Sequence, residues 1–194
     1  MPAIRRHSLL TLEAYARARG EFRARVLEHK RARTVPLGEH VTLLFEDELT
    51  IRYQIQEMLR IEKAFEEAAI QDELDAYNPL VPDGSNLKAT MLIEYEDETE
   101  RRRALAKLKG IEHCVWLRVE GCPRVVAIAD EDLERANEVK TSAVHFLRFE
   151  LPPAAVAALK RGLPLSLGID HPQYQAEVPV LGSATRTALL ADLD

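Results

Sequence analysis

Two ionisable residues, Glu62 and His145, stand where the hydrophobic pattern expects apolar ones. A carboxylate and an imidazole brought together can pass a proton or contribute two ligands to a metal ion. Winding residues 51–69 at about 100° each sets Ile51, Ile55, Met58, Leu59, Phe65 and Ala69 on one stripe, with Glu62 in its middle. An ionised carboxylate in that place is unfavourable unless a cation or hydrogen bonds compensate it. In residues 143–151, the alternation puts His145, Leu147, Phe149 and Leu151 on one face, and Arg148 and Glu150 on the other. The pair would meet if the helix lay over this strand. The alternatives are a rim carboxylate and a core histidine bonded to a backbone carbonyl.

Further groups stand near in type, if not in sequence. Arg52, Tyr77, Asn78, Lys88, Asp170 and His171 are the candidate binding residues, with Tyr77, Asn78 and Lys88 at the mouth of such a pocket. A metal site needs three or four ligands. Beyond Glu62 and His145 they would come from Asp72, Glu73, Asp75, Asp170 or His171, in no recognised ligand spacing. Cys114 and Cys122 flank one hairpin beside His113 and lack a second ligand pair. There is no glycine-rich phosphate loop and no Gly-x-Ser-x-Gly nucleophile turn. The sequence therefore names neither a cofactor nor a metal.

The elements that must position these residues are mixed. Helical spacing runs over 9–33, with Gly20 expected to separate a short helix from a longer one. Strands are expected at 34–37 and 41–45, and Asp47 can cap a helix reaching about residue 67. Residues 75–86, with two prolines and a glycine, read as a long loop of the kind that often binds. A strand at 89–95 and a charged helix at 97–109, ended by Gly110, follow. A hairpin is expected over 115–120 and 125–129, a helical segment over 130–138 and a strand over 142–151. A helix at 153–160, strands at 165–169 and 176–181, and a helix at 184–193 complete the chain, with Pro179 confining the last strand to an edge. Short turns between strands favour an α+β fold, a largely antiparallel sheet with helices packed on it, as one domain over residues 1–194.

Charge narrows the partners. The 194 residues carry a net charge of −6, which argues against general nucleic-acid binding. Yet Arg5, Arg6, Arg17, Arg19, Arg23, Arg25, Lys30, Arg31 and Arg33 crowd the N-terminal segment against only Glu13, Glu21 and Glu28. Such polarity suits an acidic partner or a homodimer, and equally a solvated helix face. No apolar run approaches the length that spans a bilayer, and two cysteines are too few for a disulfide framework, so the cytoplasm is the expected compartment.

Several runs carry a resemblance. EFRARVLEHKRARTVPLGEHVTLLFEDELTIRYQIQEMLRIEKAF, DELDAYNPLVPDGSNLKATMLIEY, IADEDLERANEVKTSAVHFLRFEL and LGIDHP resemble a bacterial family catalogued as domain of unknown function 3501. The likeness extends from about residue 9 to residue 172. It implies a context: companions of rubrerythrin-like di-iron proteins and iron–sulfur oxidoreductases. The expected role is a binding or accessory factor in an iron- or peroxide-linked redox pathway. The alternative is a small enzyme or metal-binding protein built on Glu62 and His145.

Overall fold

The computed structural model describes residues 3–129 and 140–194. The fold is α+β with antiparallel strands, as expected, and its centre is a sandwich of two sheets where one was expected. The first sheet takes β1 (Thr34–Leu37), β2 (Val41–Glu46), β3 (Asn86–Ile93), β7 (Val144–Glu150) and β6 (Ile128–Ala129), in the order β1-β2-β3-β7-β6. The second takes β5 (Val125–Val126), β4 (Val115–Val119), β8 (Leu165–His171) and β9 (Tyr174–Val178), in the order β5-β4-β8-β9.

Alternation decides what each strand buries. Val41, Leu43 and Phe45 point inward beside Leu87, Ala89, Met91, Ile93, Leu147 and Phe149. Val115, Leu117 and Val119 with Leu165, Leu167 and Ile169 face them from the other sheet, in one continuous core. The expected strand 125–129 is split. Val125 and Val126 pair with β4, whereas Ile128 and Ala129 pair with β7 in the opposite sheet. Buried Ala127 is the crossing point, and its N–H donates to the Val115 carbonyl. At the opposite side, edge strands β1 and β9 adjoin, and the Tyr174 hydroxyl donates to the Leu37 carbonyl at 2.5 Å and accepts from the His40 amide at 3.1 Å. Pro36 lies in β1, and Pro179 follows β9 directly.

Three helices build a second apolar cluster. These are α1 (Leu12–Arg31), α2 (Glu48–Glu62) and α3 (Glu67–Tyr77), which bring together Ile51, Ile55, Leu59, Ile70 and Leu74 with Ile4, Leu9 and Val81. α4 (Glu98–Lys107), α5 (Pro153–Lys160) and α6 (Ser183–Leu190) complete the described helices. Asp47 caps α2 as expected, accepting from the Thr50 amide at 2.9 Å while the Thr50 hydroxyl accepts from the Asp47 amide. Such a cap is worth about 1 kcal/mol.

Four expectations change here. α1 runs unbroken through Gly20, because Tyr15 and Val26 bury on either side of it and the glycine penalty of about 1 kcal/mol does not outweigh them. α2 stops at Glu62, five residues early: Lys63 takes the left-handed conformation at φ 54° and its N–H closes on the Arg60 carbonyl. The expected loop 75–86 begins as the end of α3, followed by a 3-10 turn over Asn78–Leu80. Leu108 rather than Gly110 ends α4, and Gly110 at φ 83° opens the 3-10 turn Ile111–His113 instead. The expected helical segment 130–138 lies outside the described residues.

Candidate docking surface

β7 turns His145 into the core, as its alternation predicted, and its side chain is 0% exposed. Its Nε2 lies 2.9 Å from the Thr141 Oγ1, 3.0 Å from the Ser142 carbonyl and 3.9 Å from Glu112 Oε2. The Thr141 hydroxyl donates to Glu112 at 3.3 Å. An Nε2–H shared between the Ser142 carbonyl and the Thr141 oxygen, with the Thr141 hydroxyl proton on Glu112, satisfies this set. Glu112 and Thr141 are themselves buried.

The carboxylate beside His145 is therefore Glu112, not Glu62. Glu62 is exposed as the last residue of α2, since the helix ends before the stripe can carry it inward. Its charge is felt instead by Glu73 on α3. The Glu73 carboxyl is pushed above its usual range, first by burial and then by Glu62 and Asp72, and its Oε2 has no hydrogen-bond partner among the described residues. The proposed pairing of Glu62 with His145 is not formed.

The remaining candidates hold separate structural bonds. Asn78 binds both backbone groups of Ile4, at 2.8 and 3.0 Å, and so fastens the N-terminal segment to the end of α3, beside Tyr77. Lys88 donates to the Pro79 carbonyl. Arg52 pairs with Glu48 at 3.3 Å, and its buried Nε has no partner among the described residues. Asp170 accepts from Arg124 at 2.5 Å on the outer face of β8, while the neighbouring His171 is buried and binds the Lys109 carbonyl at 3.2 Å. Among the described residues no three His, Cys, Asp or Glu side chains gather as a metal-holding group. Cys114 and Cys122 are half-buried free thiols, and burial pushes the Cys114 thiol up.

The N-terminal cations divide into two sets. Arg33, 2% exposed, is bound by Asp192 at 2.7 Å and by Asp47 at 3.0 Å, which ties the end of α1 to the end of α6 and the start of α2. Arg19 grips Glu57 through both nitrogens, at 2.8 and 2.9 Å, and the buried Tyr15 hydroxyl donates to the same carboxylate at 2.7 Å. Arg19 above all, with Tyr15 and Arg60, holds the Glu57 carboxyl down to about 2 despite its burial. Arg6 pairs with Glu67, Arg31 with Glu28, and Lys30 sits over the Tyr53 ring. Arg17, Arg23 and Arg25 remain exposed, in no ion pair among the described residues. They span about 12 Å of the helix axis, with Arg17 in the middle of the exposed surface and Arg23 and Arg25 on its two flanks, about 160° apart around the axis.

Next to the start of α1 lies a groove of about 290 Å³, walled by Leu10, Leu12, Leu59, Ala64, Phe65 and Ile70, with Arg6, Thr11 and Glu13 as its polar members. Phe65 is 72% exposed. Pattern reading assigned Phe65 to the core stripe and so missed this groove. The only sequence signal was a charged residue, Glu62, interrupting that stripe just before it.

The sequence profile of a family described as "Protein of unknown function (DUF3501)" matches residues 3–193. A crystal structure described as a novel protein of unknown function from Burkholderia pseudomallei K96243 is 61% identical, with each chain covered over 100% of its length and a TM-score of 0.95. No curated protein matches significantly.

Proposed function

The chain belongs to the DUF3501 family, and on that footing we propose that it is a binding or accessory protein that docks an acidic partner on the solvent-exposed surface of α1. One observation carries this reading. Arg17, Arg23 and Arg25 stay out of the ion pairs that engage Arg6, Arg19, Arg31 and Arg33, on a chain whose net charge is −6. Unpaired guanidiniums on an acidic protein give a local field of opposite sign to the whole, which steers and orients an acidic surface. Glu13, Glu21 and Glu28 lie between them around the helix, so this surface favours a partner whose carboxylates straddle the helix to match the arginine positions rather than any polyanion. The resemblance read from the sequence supplies the class of partner: a rubrerythrin-like di-iron protein or an iron–sulfur oxidoreductase of an iron- or peroxide-linked pathway in the cytoplasm. Among the described residues no helix is long and apolar enough to cross a membrane.

The test is binding of purified rubrerythrin-like and iron–sulfur proteins to the wild-type chain and to the Arg17→Gln/Arg23→Gln/Arg25→Gln variant. Three rim contacts of roughly 0.5 kcal/mol each amount to about a tenfold loss of affinity. The loss should shrink as salt rises. Equal binding by the variant, or no binding of either protein by the wild type, defeats the proposal.

A further inference from the structure

We infer that the groove beside the start of α1 is a homodimer contact, occupied by Phe65 of a second copy of this chain. Phe65 is 72% exposed and Leu10 43% exposed, and both belong to the wall of the groove itself. A bare phenyl ring next to an unfilled apolar groove leaves in water apolar area that docking would remove. Large exposed apolar side chains clustered in this way mark interaction surfaces rather than ordinary exterior.

The dimensions fit one ring. A closed apolar cavity of about 150 Å³ holds a benzene molecule, and this groove offers about 290 Å³. That leaves room for the phenyl group and its approach. The ring is also presented by a built corner rather than a frayed end. The Ala64 N–H bonds to the Leu59 carbonyl at 2.9 Å, and left-handed Lys63 turns the chain out of α2 just before Phe65.

The choice of a second copy follows from where knob and hole sit. Both lie in one patch, and a twofold axis through such a patch sets each ring against the other copy's groove in a single closed contact. The polar wall agrees. It holds one cation, Arg6, and one anion, Glu13, so the same rotation lets Arg6 of each copy meet Glu13 of the other. The one ion pair of Arg6 among the described residues, to Glu67, has side chains 39% and 76% exposed and competes weakly. Arg17, Arg23 and Arg25 are not in this wall, so the dimer leaves the proposed partner face available.

Sedimentation equilibrium of the full chain over a wide concentration range tests the inference. The wild type should have twice the mass of one chain. Phe65→Ser removes a largely exposed ring from the groove wall, should keep its circular dichroism and melting temperature, and, with both rings of the dimer lost, should dissociate about a thousandfold more readily. Arg6→Glu and Glu13→Arg should each weaken self-association. Mixed together, the two variants should prefer each other, because both cross-pairs regain opposite charges. A wild type that stays monomeric throughout, a Phe65→Ser chain that dimerises as tightly, or a mixture without preference overturns it. The arginine triple variant should dimerise normally, so loss of the partner-binding reading leaves a distinct result.

Discussion

Gly168→Ala adds one methyl group to β8 and is expected to loosen the second sheet. Gly168 has no positive φ, so the backbone tolerates alanine and only space is at issue. A Cβ there would fall 2.4 Å from Cζ2 and 2.7 Å from Cε2 of Trp116, and 3.0 Å from the Ala176 carbonyl oxygen. Carbon atoms sit comfortably at about 3.5–4.0 Å, so the indole must move by about 1 Å. It has little freedom to do so. The Arg124 guanidinium lies 3.8 Å from the ring centroid on the outer side and is fixed in turn by Asp170. Trp116 is 3% exposed, so a displaced ring meets packed atoms or water. Overpacking of this kind costs about 1–3 kcal/mol. With a urea slope of about 2 kcal/mol/M, the midpoint should drop by roughly 0.5–1.5 M at unchanged slope. Trp116 is the one tryptophan in the chain, so its fluorescence reports the native environment directly and should shift to the red. Circular dichroism gives the same midpoint independently and allows the cycle with Trp116→Leu. Removing the ring should make Gly168→Ala nearly neutral, a coupling of about 1 kcal/mol or more. An unchanged midpoint, or simple addition of the two single effects, refutes the steric argument.

Two further outcomes follow from the ion pairs. The Glu57 carboxyl, held near 2 by Arg19 and its neighbours against 4.5 unperturbed, contributes stability that is complete above about pH 4.5 and is lost as pH falls towards 2. Glu57→Gln should therefore remove roughly 2–3 kcal/mol at pH 7 and flatten the acid limb of stability against pH, both read from urea midpoints at pH 7 and pH 3. An acid limb as steep as the wild type's would show that another carboxylate sets it. Asp192→Asn leaves the buried Arg33 charge short of its nearest partner and should cost about 3–5 kcal/mol in thermal or urea unfolding. Arg33→Met/Asp192→Leu, which removes both charges, should cost less than Asp192→Asn alone.

Local periodicity revealed what it physically encodes. Residues 41–46 and 144–150 largely bury alternate side chains, and that alternation by itself marks His145 as a core residue. The Asp47 cap was legible because a short acidic side chain before an amphipathic run has few other places to go. Alternation says which face of a strand is buried, though not against what, so the division into two sheets and the crossing at Ala127 left no local mark. The early end of α2 was hidden for a different reason. Lys63 adopts a backbone conformation that glycine usually signals, and without that signal Glu62 and Phe65 looked like a continuation of the stripe. Glu112 escaped notice because it sits in a short 3-10 turn after a charged helix, where a carboxylate attracts no attention. Its burial arises only when β7 brings His145 beside it.

The borders of the sandwich bear on how this protein can meet others. β1 contains a proline, β5 and β6 are two residues each, and the seam between β1 and β9 is stitched by the Tyr174 hydroxyl. An incoming extended peptide finds few consecutive free amides to pair with, so growth of the sheet into filaments is discouraged at high concentration. Recognition by strand addition is discouraged on the same ground, which leaves side chains on the helical flank as the natural medium of contact.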